Sequence, residues 1–314
     1  MGQRRALPVV LEVLDDGLRL YRRHLASFML IATVVLVVLA LFSLSFMAFV
    51  RSEIGTSPGW LFLAVCLLLL LGYPLVLYVF GGLSRAAAAA LDGHTMTPLS
   101  ALRLNPLRGI GIVVFNMLFS LITAISAFIM ALVCTCPMTY LSLFLSVLFG
   151  ALMDSAGLGV GMFGLVGVIS QISTLWTITV AGAWLATSVF ALQAFVLEQR
   201  PWTEAASRTF DMLMTRFGQS LLMFLGAGAI FGTLALSYLG SLLVLWAFIQ
   251  DQVSLPPLAG DVITIVLTVG ALVVLLPPLS IWMTIYYRRQ ARERDGEEII
   301  RRVADWRAQA LGSI

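Results

Sequence analysis

Six long apolar runs constrain this chain more than any other feature of its sequence. They cover roughly residues 25–50, 60–83, 109–135, 172–197, 218–248 and 262–287. Each run exceeds the ~20 residues that a helix needs to cross the hydrocarbon core of a bilayer. A helix satisfies its own backbone hydrogen bonds inside lipid, where no water is available. The sequence therefore predicts an all-α fold: a polytopic transmembrane helical bundle with six main spans.

The composition agrees with a membrane protein and argues against a nucleic-acid partner. Hydrophobic residues make up 60% of the chain and charged residues only 11%, whereas a soluble domain carries about 25% charged residues. All 19 basic residues are arginines, which fits a GC-rich bacterial genome. They lie in short segments beside the spans, so the net charge of +3 is no nucleic-acid signal. The expected partner is the lipid bilayer.

The distribution of arginine predicts the orientation of the chain. Segments 1–24, 84–108, 198–217 and 288–314 contain every arginine except Arg51. The positive-inside rule then places both termini in the cytoplasm, and we expect a location in the bacterial inner (cytoplasmic) membrane. The residues expected to mark the membrane interface, by snorkelling cations and an aromatic belt, are Arg23, Arg216, Arg288, Arg289, Tyr286 and Tyr287.

The segment 136–171 is apolar, rich in glycine in its second half, and contains one charged residue. A single additional crossing here would move all later arginines to the outer side, so we expect zero or two crossings. The segment is either a re-entrant or surface hairpin that turns near 154–157, or two short transmembrane helices. Its apolar surface either packs inside the protein or meets a partner subunit or lipid.

An internal repeat accounts for the order of the segments. The stretches 8–30 and 201–223 each start with a proline and reach an arginine 15 positions later, at Arg23 and at Arg216. A shorter relative lies at 98–109. The pattern predicts three repeat-like units, each a cytoplasmic surface helix followed by two spans. Chance similarity among amphipathic helices is the alternative.

These units predict one transmembrane domain over residues 1–290, with 136–171 as an apolar insertion and 291–314 as a cytoplasmic amphipathic tail. Two of the surface helices have an apolar stripe at helical spacing, and we expect such helices to lie in the membrane interface with the apolar face toward lipid. The stripes consist of Val10, Leu14, Leu18, Tyr21 and Leu25, and of Trp202, Ala206, Phe210, Leu213 and Phe217.

The sequence offers little that could carry catalysis. No Asp, Glu, Arg or His falls in the middle of a predicted span, which counts against a proton-coupled pump or a charged ion channel. His24 and His94 have no partner at metal-ligand spacing. Cys66, Cys134 and Cys136 are either buried thiols or include a disulfide from Cys66 to one of the other two. We therefore predict no catalytic, metal or cofactor site, and no enzyme.

Uncharged polar residues occur within the spans. Interhelical hydrogen bonds explain them, or they line a narrow polar cavity for a lipid headgroup, for which Thr177, Gln193 and Asn116 are the candidates. Gly228 and Gly232 have the GxxxG spacing that predicts close packing of two helices.

Three stretches carry a resemblance to a known family. In residues 186–225 an apolar run ends at Glu198, a loop with Pro201 follows, then a helix with Ala-x-Arg-Thr around Arg208, and then Arg-Phe opening the next span. With the N-terminal LRLYRRHLASFMLIA and the tail IYYRRQARERDGEE, this order resembles the bacterial six-span membrane domain associated with some glycerophosphodiester phosphodiesterases and its stand-alone relatives. The resemblance covers most of the chain outside 136–171.

The resemblance implies a six-span membrane domain but no enzyme. In that family the phosphodiesterase activity resides in a separate soluble barrel domain with a histidine pair and metal-binding acidic residues, which we do not expect here. Glu198, Pro201 and Arg208 match the family-like loop, and the resemblance implies an architectural role for them.

Two functions follow as expectations. The first is a non-catalytic inner-membrane protein that scaffolds or assembles a membrane protein complex, with a protein partner bound through 136–171 or through the cytoplasmic helices. The alternative is a transporter or carrier of a lipid or other uncharged small molecule, which would use the polar face of the fourth span and a kink at Pro277 and Pro278.

Overall fold

The computed structural model describes most of the chain. It covers residues 6–51, 58–94, 96–103, 111, 113–119, 121–126, 128–133, 136–137, 140–141, 144, 159–252 and 257–312. The predicted turn at 154–157 and Cys134 lie outside the described residues. The choice between a hairpin and two short spans in 136–171 therefore stays a prediction.

Within this part of the chain every regular element is an α-helix, which confirms the all-α prediction. The helices are α1 (Ala6–Arg23), α2 (Leu25–Arg51), α3 (Pro58–Leu91), α4 (Pro98–Leu102), α5 (Val113–Val133, with residues 120 and 127 outside the description), α6 (Gly159–Val196), α7 (Trp202–Thr215), α8 (Phe217–Gln252) and α9 (Pro257–Gly312).

Five segments of the described helices are long and apolar enough to cross a membrane. They are Leu25–Phe49, Val113–Val133, Ile169–Val196, Phe217–Ile249 and Ala259–Gly296. At the remaining predicted span, 60–83, the helix α3 is present over 34 residues. Within it, Leu75–Leu91 forms a shorter apolar segment. The described part of the chain thus has five candidate membrane spans, and the six-span arrangement stays a prediction.

The segment 136–171 is divided by the structure. Its last part, from Gly159, is the beginning of α6, a single helix of 38 residues that continues through the predicted fourth span. Cys136, near its start, has an exposed free thiol, so the prediction of a buried thiol is wrong for this residue.

The surface helix α1 packs against the protein rather than against lipid. Its residues Val10, Val13 and Leu14 are buried, and the helix contacts α8 and α9. The indole of Trp282 covers Gly17 so closely that a Cβ atom there would lie 2.3 Å from the Trp282 Cδ1 atom. The apolar stripe predicted for lipid is therefore used for tertiary packing.

The surface helix α7 has apolar residues on two sides. Ala205 and Met212 are buried against the bundle, and α7 contacts α6 and α8. Phe210 and Met214 remain exposed, as does Phe217 at the start of α8. The predicted apolar stripe is therefore only partly available to lipid.

The helix α9 is the centre of the bundle. It contacts α1, α2, α3, α6 and α8. It runs without a break from Pro257 to Gly312, through Pro277 and Pro278. The predicted tail 291–314 therefore begins as a direct continuation of the last span, and no helix boundary separates the two.

Backbone contact joins α6 to α8. A Cβ atom on Gly182 would lie 2.5 Å from the Gly228 carbonyl oxygen, and one on Gly232 would lie 2.4 Å from the Ile178 Cγ2 atom. Only glycine permits such an approach, as the GxxxG spacing of Gly228 and Gly232 predicted.

Candidate functional site

The loop between α6 and α7 turns sharply and brings a carboxylate onto the bundle. Gln199 has a φ of 55°, a left-handed conformation that reverses the chain directly after Glu198. Pro201 follows in an extended conformation and its carbonyl oxygen accepts the Ala205 N–H at 2.9 Å, so α7 starts immediately after it. Glu198 thus faces back toward α7 and α9.

The Glu198 cluster consists of Glu198, Arg200, Arg208 and Tyr287. The Glu198 carboxylate accepts hydrogen bonds from the Tyr287 hydroxyl at 2.7 Å, from Arg208 Nε at 3.0 Å, and from Arg200 Nε at 2.5 Å. The side chains of Glu198 and Arg208 are only 21% and 13% exposed. Hydrogen bonds between ionised groups are stronger than neutral ones, and these fix the loop to α7 and α9.

Arg208 also binds the far end of α9. Its Nη2 atom lies 3.2 Å from Asp295 Oδ1. Burial lowers the pKa of Arg208, but the hydrogen bonds to Tyr287 and Asp295 and the charge of Glu198 outweigh that effect and raise the pKa above its ordinary value. The guanidinium is therefore a permanent cation within the cluster.

A wider ion-pair network surrounds the same segment of α9. Five charged α9 residues form ion pairs with four other parts of the protein. The pairs are Arg288 with Asp92, Arg289 with Glu12, Glu293 with Arg216, Arg294 with Asp211, and Asp295 with Arg208. The network joins α9 to α1, to the residue after α3, to the residue before α8, and to α7.

Asp92 shows the electrostatic effect of this network. Its carboxylate receives both Arg288 Nη1 and Nη2, at 2.7 and 2.8 Å. The hydrogen bond from Arg288 is the main reason why the pKa of Asp92 lies below its ordinary value.

The residues predicted to mark the membrane interface lie in three different environments: the ion-pair network, the exposed end of α1 and the protein core. Arg216, Arg288 and Arg289 belong to the ion-pair network, whereas Arg23 is exposed at the end of α1. An aromatic belt requires rings that face lipid. Tyr286 and Tyr287 are instead 0% and 2% exposed, so both are core residues.

The buried hydroxyl of Tyr286 has two hydrogen-bond partners inside the protein. Its hydroxyl lies 3.0 Å from Ser220 Oγ and accepts a hydrogen bond from Gln290 Nε2 at 2.6 Å. The Phe190 ring contacts both tyrosines, with centroid distances of 5.7 and 5.5 Å. An apolar ring bearing a satisfied hydroxyl is as stable inside the protein as at the headgroups.

Gln193 belongs to a buried hydrogen-bond group between α3, α6 and α9. Its Nε2 atom donates to Ser84 Oγ at 2.8 Å, and Thr284 Oγ1 donates to its Oε1 atom at 3.2 Å. All three residues are fully buried. For Gln193, interhelical hydrogen bonds therefore explain the polar residue within the span, as the first of the two alternatives predicted.

The three predicted cavity residues do not share one narrow site. Thr177 and Gln193 are 16 positions apart on α6, which is about 24 Å along the helix. Thr177 donates to the Ser173 carbonyl oxygen of its own helix. Asn116 is buried on α5.

Thr177 instead lines an open groove between α5 and α6. The groove has a volume of about 230 Å³ and is almost entirely apolar. Its lining consists of Ala124, Phe128 and Ala131 from α5 and Thr177, Val180, Ala181 and Trp184 from α6. The residues that line the groove belong to two candidate membrane spans.

Sequence reasoning missed Ser84, Thr284 and Gln290. Each is a polar residue at the end of an apolar run nearest the arginines, and that position is the only feature of the sequence that could have identified it.

The described residues contain no group of three His, Cys, Asp or Glu side chains that could hold a metal ion. Comparison with protein-family models, with curated proteins and with solved structures found no match to this chain.

Proposed function

We propose that this protein is a non-catalytic membrane protein of the bacterial inner membrane, with both termini in the cytoplasm, that scaffolds or assembles a membrane protein complex. The observation that carries the proposal is the ion-pair network around α9. It ties the surface helices α1 and α7 to the last span. A platform for other proteins requires surface elements held in a constant position, and this network supplies that constraint.

The geometry of Glu198 supports the same proposal. A catalytic carboxylate must reach a substrate proton and have lone pairs to accept it. Glu198 is engaged by two guanidinium groups and one hydroxyl. This arrangement favours a structural role over acid–base chemistry.

The outward side of α7 is the surface that we assign to a partner. On α7, Met214 is 65% exposed and Phe210 is 39% exposed, and Phe217, which is 58% exposed, follows at the start of α8. Residues three and four positions apart lie on the same side of a helix. Phe210 also contacts the buried Phe119 of α5, at a centroid distance of 5.9 Å, so the exposed residues of α7 lie beside a candidate membrane span. A partner with its own membrane helix fits that position.

The test is quantitative affinity purification of the full chain in nanodiscs. We expect a defined set of membrane proteins to co-purify, and Met214→Ser to reduce their yield. Leu99→Ser is the matched control, because Leu99 is a 77% exposed apolar residue on another surface helix, α4. Equal yields from both variants, or a protein without partners in any mild preparation, would contradict the proposal.

The groove between α5 and α6 supports a second candidate, a carrier of a lipid or other uncharged apolar molecule. We expect native mass spectrometry to detect retained lipid, and Ala181→Phe to reduce it by filling the groove. Ala48→Phe is the control, because Ala48 is also an exposed alanine in a candidate span. Retention that is unchanged in Ala181→Phe would exclude the groove as a carrier site.

A further inference from the structure

A small cavity lies where α7 ends, α8 begins and the arginine-rich segment of α9 passes. It has a volume of about 30 Å³. Its lining consists of Met212, Thr215, Arg216, Gln290, Glu293 and Arg294. Two of these residues carry buried polar atoms that lack a protein partner.

Gln290 is the first of them. Its side chain is 7% exposed, and its Nε2 atom donates to Ser220 Oγ at 3.1 Å and to Tyr286 Oη at 2.6 Å. Its Oε1 atom is buried, and among the described residues no protein group donates to it. An acceptor left in that state costs ~1–3 kcal/mol, which favours a donor from outside the chain.

Arg294 is the second. Its Nη2 atom binds Asp211 at 3.1 Å, whereas its Nη1 atom is buried and has no acceptor in the described protein. Gln290 and Arg294 are four positions apart on α9, so their side chains project from the same side of the helix. The cavity therefore presents one acceptor and one donor to a bound molecule.

The charges around the cavity cancel. Arg216 pairs with Glu293, and Arg294 pairs with Asp211. Because each of the two guanidinium groups is paired with a carboxylate, the surroundings favour a neutral ligand over an ion. The volume exceeds the ~10–15 Å³ of probe space that a bound water needs.

We propose that this cavity is a hydration site, in which water donates a hydrogen bond to Gln290 Oε1 and accepts one from Arg294 Nη1. Water fits either orientation of the Gln290 amide, because it donates and accepts equally well. The bound water completes the hydrogen bonding at the junction of α7, α8 and α9, and it does so independently of the function proposed above.

The direct test is a structure of the full chain in nanodiscs at a resolution that shows ordered water. We expect a density peak within hydrogen-bond distance of Gln290 Oε1 and Arg294 Nη1. Well-defined side chains with no peak between them would overturn the proposal. Crystals grown with bromide provide a second experiment. A peak in the anomalous difference density within the cavity would identify an anion site instead of a water site.

Radiolytic hydroxyl labelling tests the proposal in solution. Met212 lines the cavity and is 3% exposed, whereas Met223 is 0% exposed in the apolar core. Radicals formed from a bound water oxidise adjacent methionine to its sulfoxide. We expect Met212 to be labelled several-fold faster than Met223, and equal labelling of the two would count decisively against a water in this cavity.

Discussion

The hydroxyl group of Tyr21 donates a hydrogen bond to the carbonyl oxygen of Val274 at 3.0 Å. In a regular helix that carbonyl would accept the N–H of residue 278, but Pro278 has no N–H to give. The surface helix α1 therefore supplies the donor that the last span lacks. This bond helps α9 to continue as a helix through Pro277 and Pro278.

Replacing Tyr21 tests this bond. Burial raises the pKa of Tyr21, so its hydroxyl stays protonated and remains a donor at ordinary pH. We expect Tyr21→Phe to lower the free energy of unfolding by about 1 kcal/mol, because the Val274 carbonyl loses its donor. Denaturant unfolding in mild detergent measures the change. Tyr140→Phe, at a 73% exposed position, is the control, and equal stability of the two variants would show that the bond contributes nothing.

The contact between α6 and α8 gives a second prediction, with its control on the same helix. A Cβ atom on Gly228 would lie 2.3 Å from the Ala183 backbone nitrogen, so Gly228→Ala must separate the helices. We expect a loss of ~1–3 kcal/mol, as for other overpacked cores. Gly240→Ala meets nothing within 4 Å and should stabilise α8 by about 0.5–1 kcal/mol. Thermal unfolding midpoints that shift in the same direction would refute this account.

The Glu198 cluster gives a third prediction. Glu198→Gln keeps the shape of the side chain but leaves the Arg208 guanidinium, whose side chain is only 13% exposed, without its closest counter-charge. We expect a loss of about 2 kcal/mol, below that of a fully buried pair because some solvent reaches the site. Glu204→Gln is the control, because Glu204 is 61% exposed and 4.0 Å from Arg200, and it should cost less than ~0.5 kcal/mol. Similar unfolding curves for both variants would contradict a structural role for Glu198.

The pair of Asp92 and Arg288 predicts a dependence on pH. The pKa of Asp92 is lowered from 3.8, so this carboxylate stabilises the folded state above that value and loses its effect as the pH falls through the folded pKa. Because the pair is exposed, we expect Asp92→Asn to cost less than ~1 kcal/mol at neutral pH. The difference from the unchanged protein should shrink below pH 3.8. A difference that stays constant on acidification would contradict the assignment.

The positions of the spans could be predicted from the sequence because continuous hydrophobicity is a local property. The predicted runs 25–50 and 218–248 correspond to Leu25–Phe49 and Phe217–Ile249. The contact at Gly228 was predictable for a related reason, since only glycine allows two helix backbones to touch.

The side that each helix turns toward the protein could not be predicted. Lipid and protein interior are both apolar, so hydrophobicity does not separate them, and Tyr286, Tyr287 and the stripe of α1 were all expected at lipid. The ion pairs could not be predicted from the sequence for another reason. Arg208 and Asp295 are 87 positions apart, and only the packing of α7 on α9 brings them together.

The contact between Gly182 and Gly228 also limits how this protein can move. Backbone atoms meet there, so neither helix can rotate about its own axis without a collision that no side chain can relieve. The helices α6 and α8 therefore tilt and turn as one body. At the border of α5 with α6, by contrast, the groove lined by Ala124 and Ala181 leaves open space between the two helices.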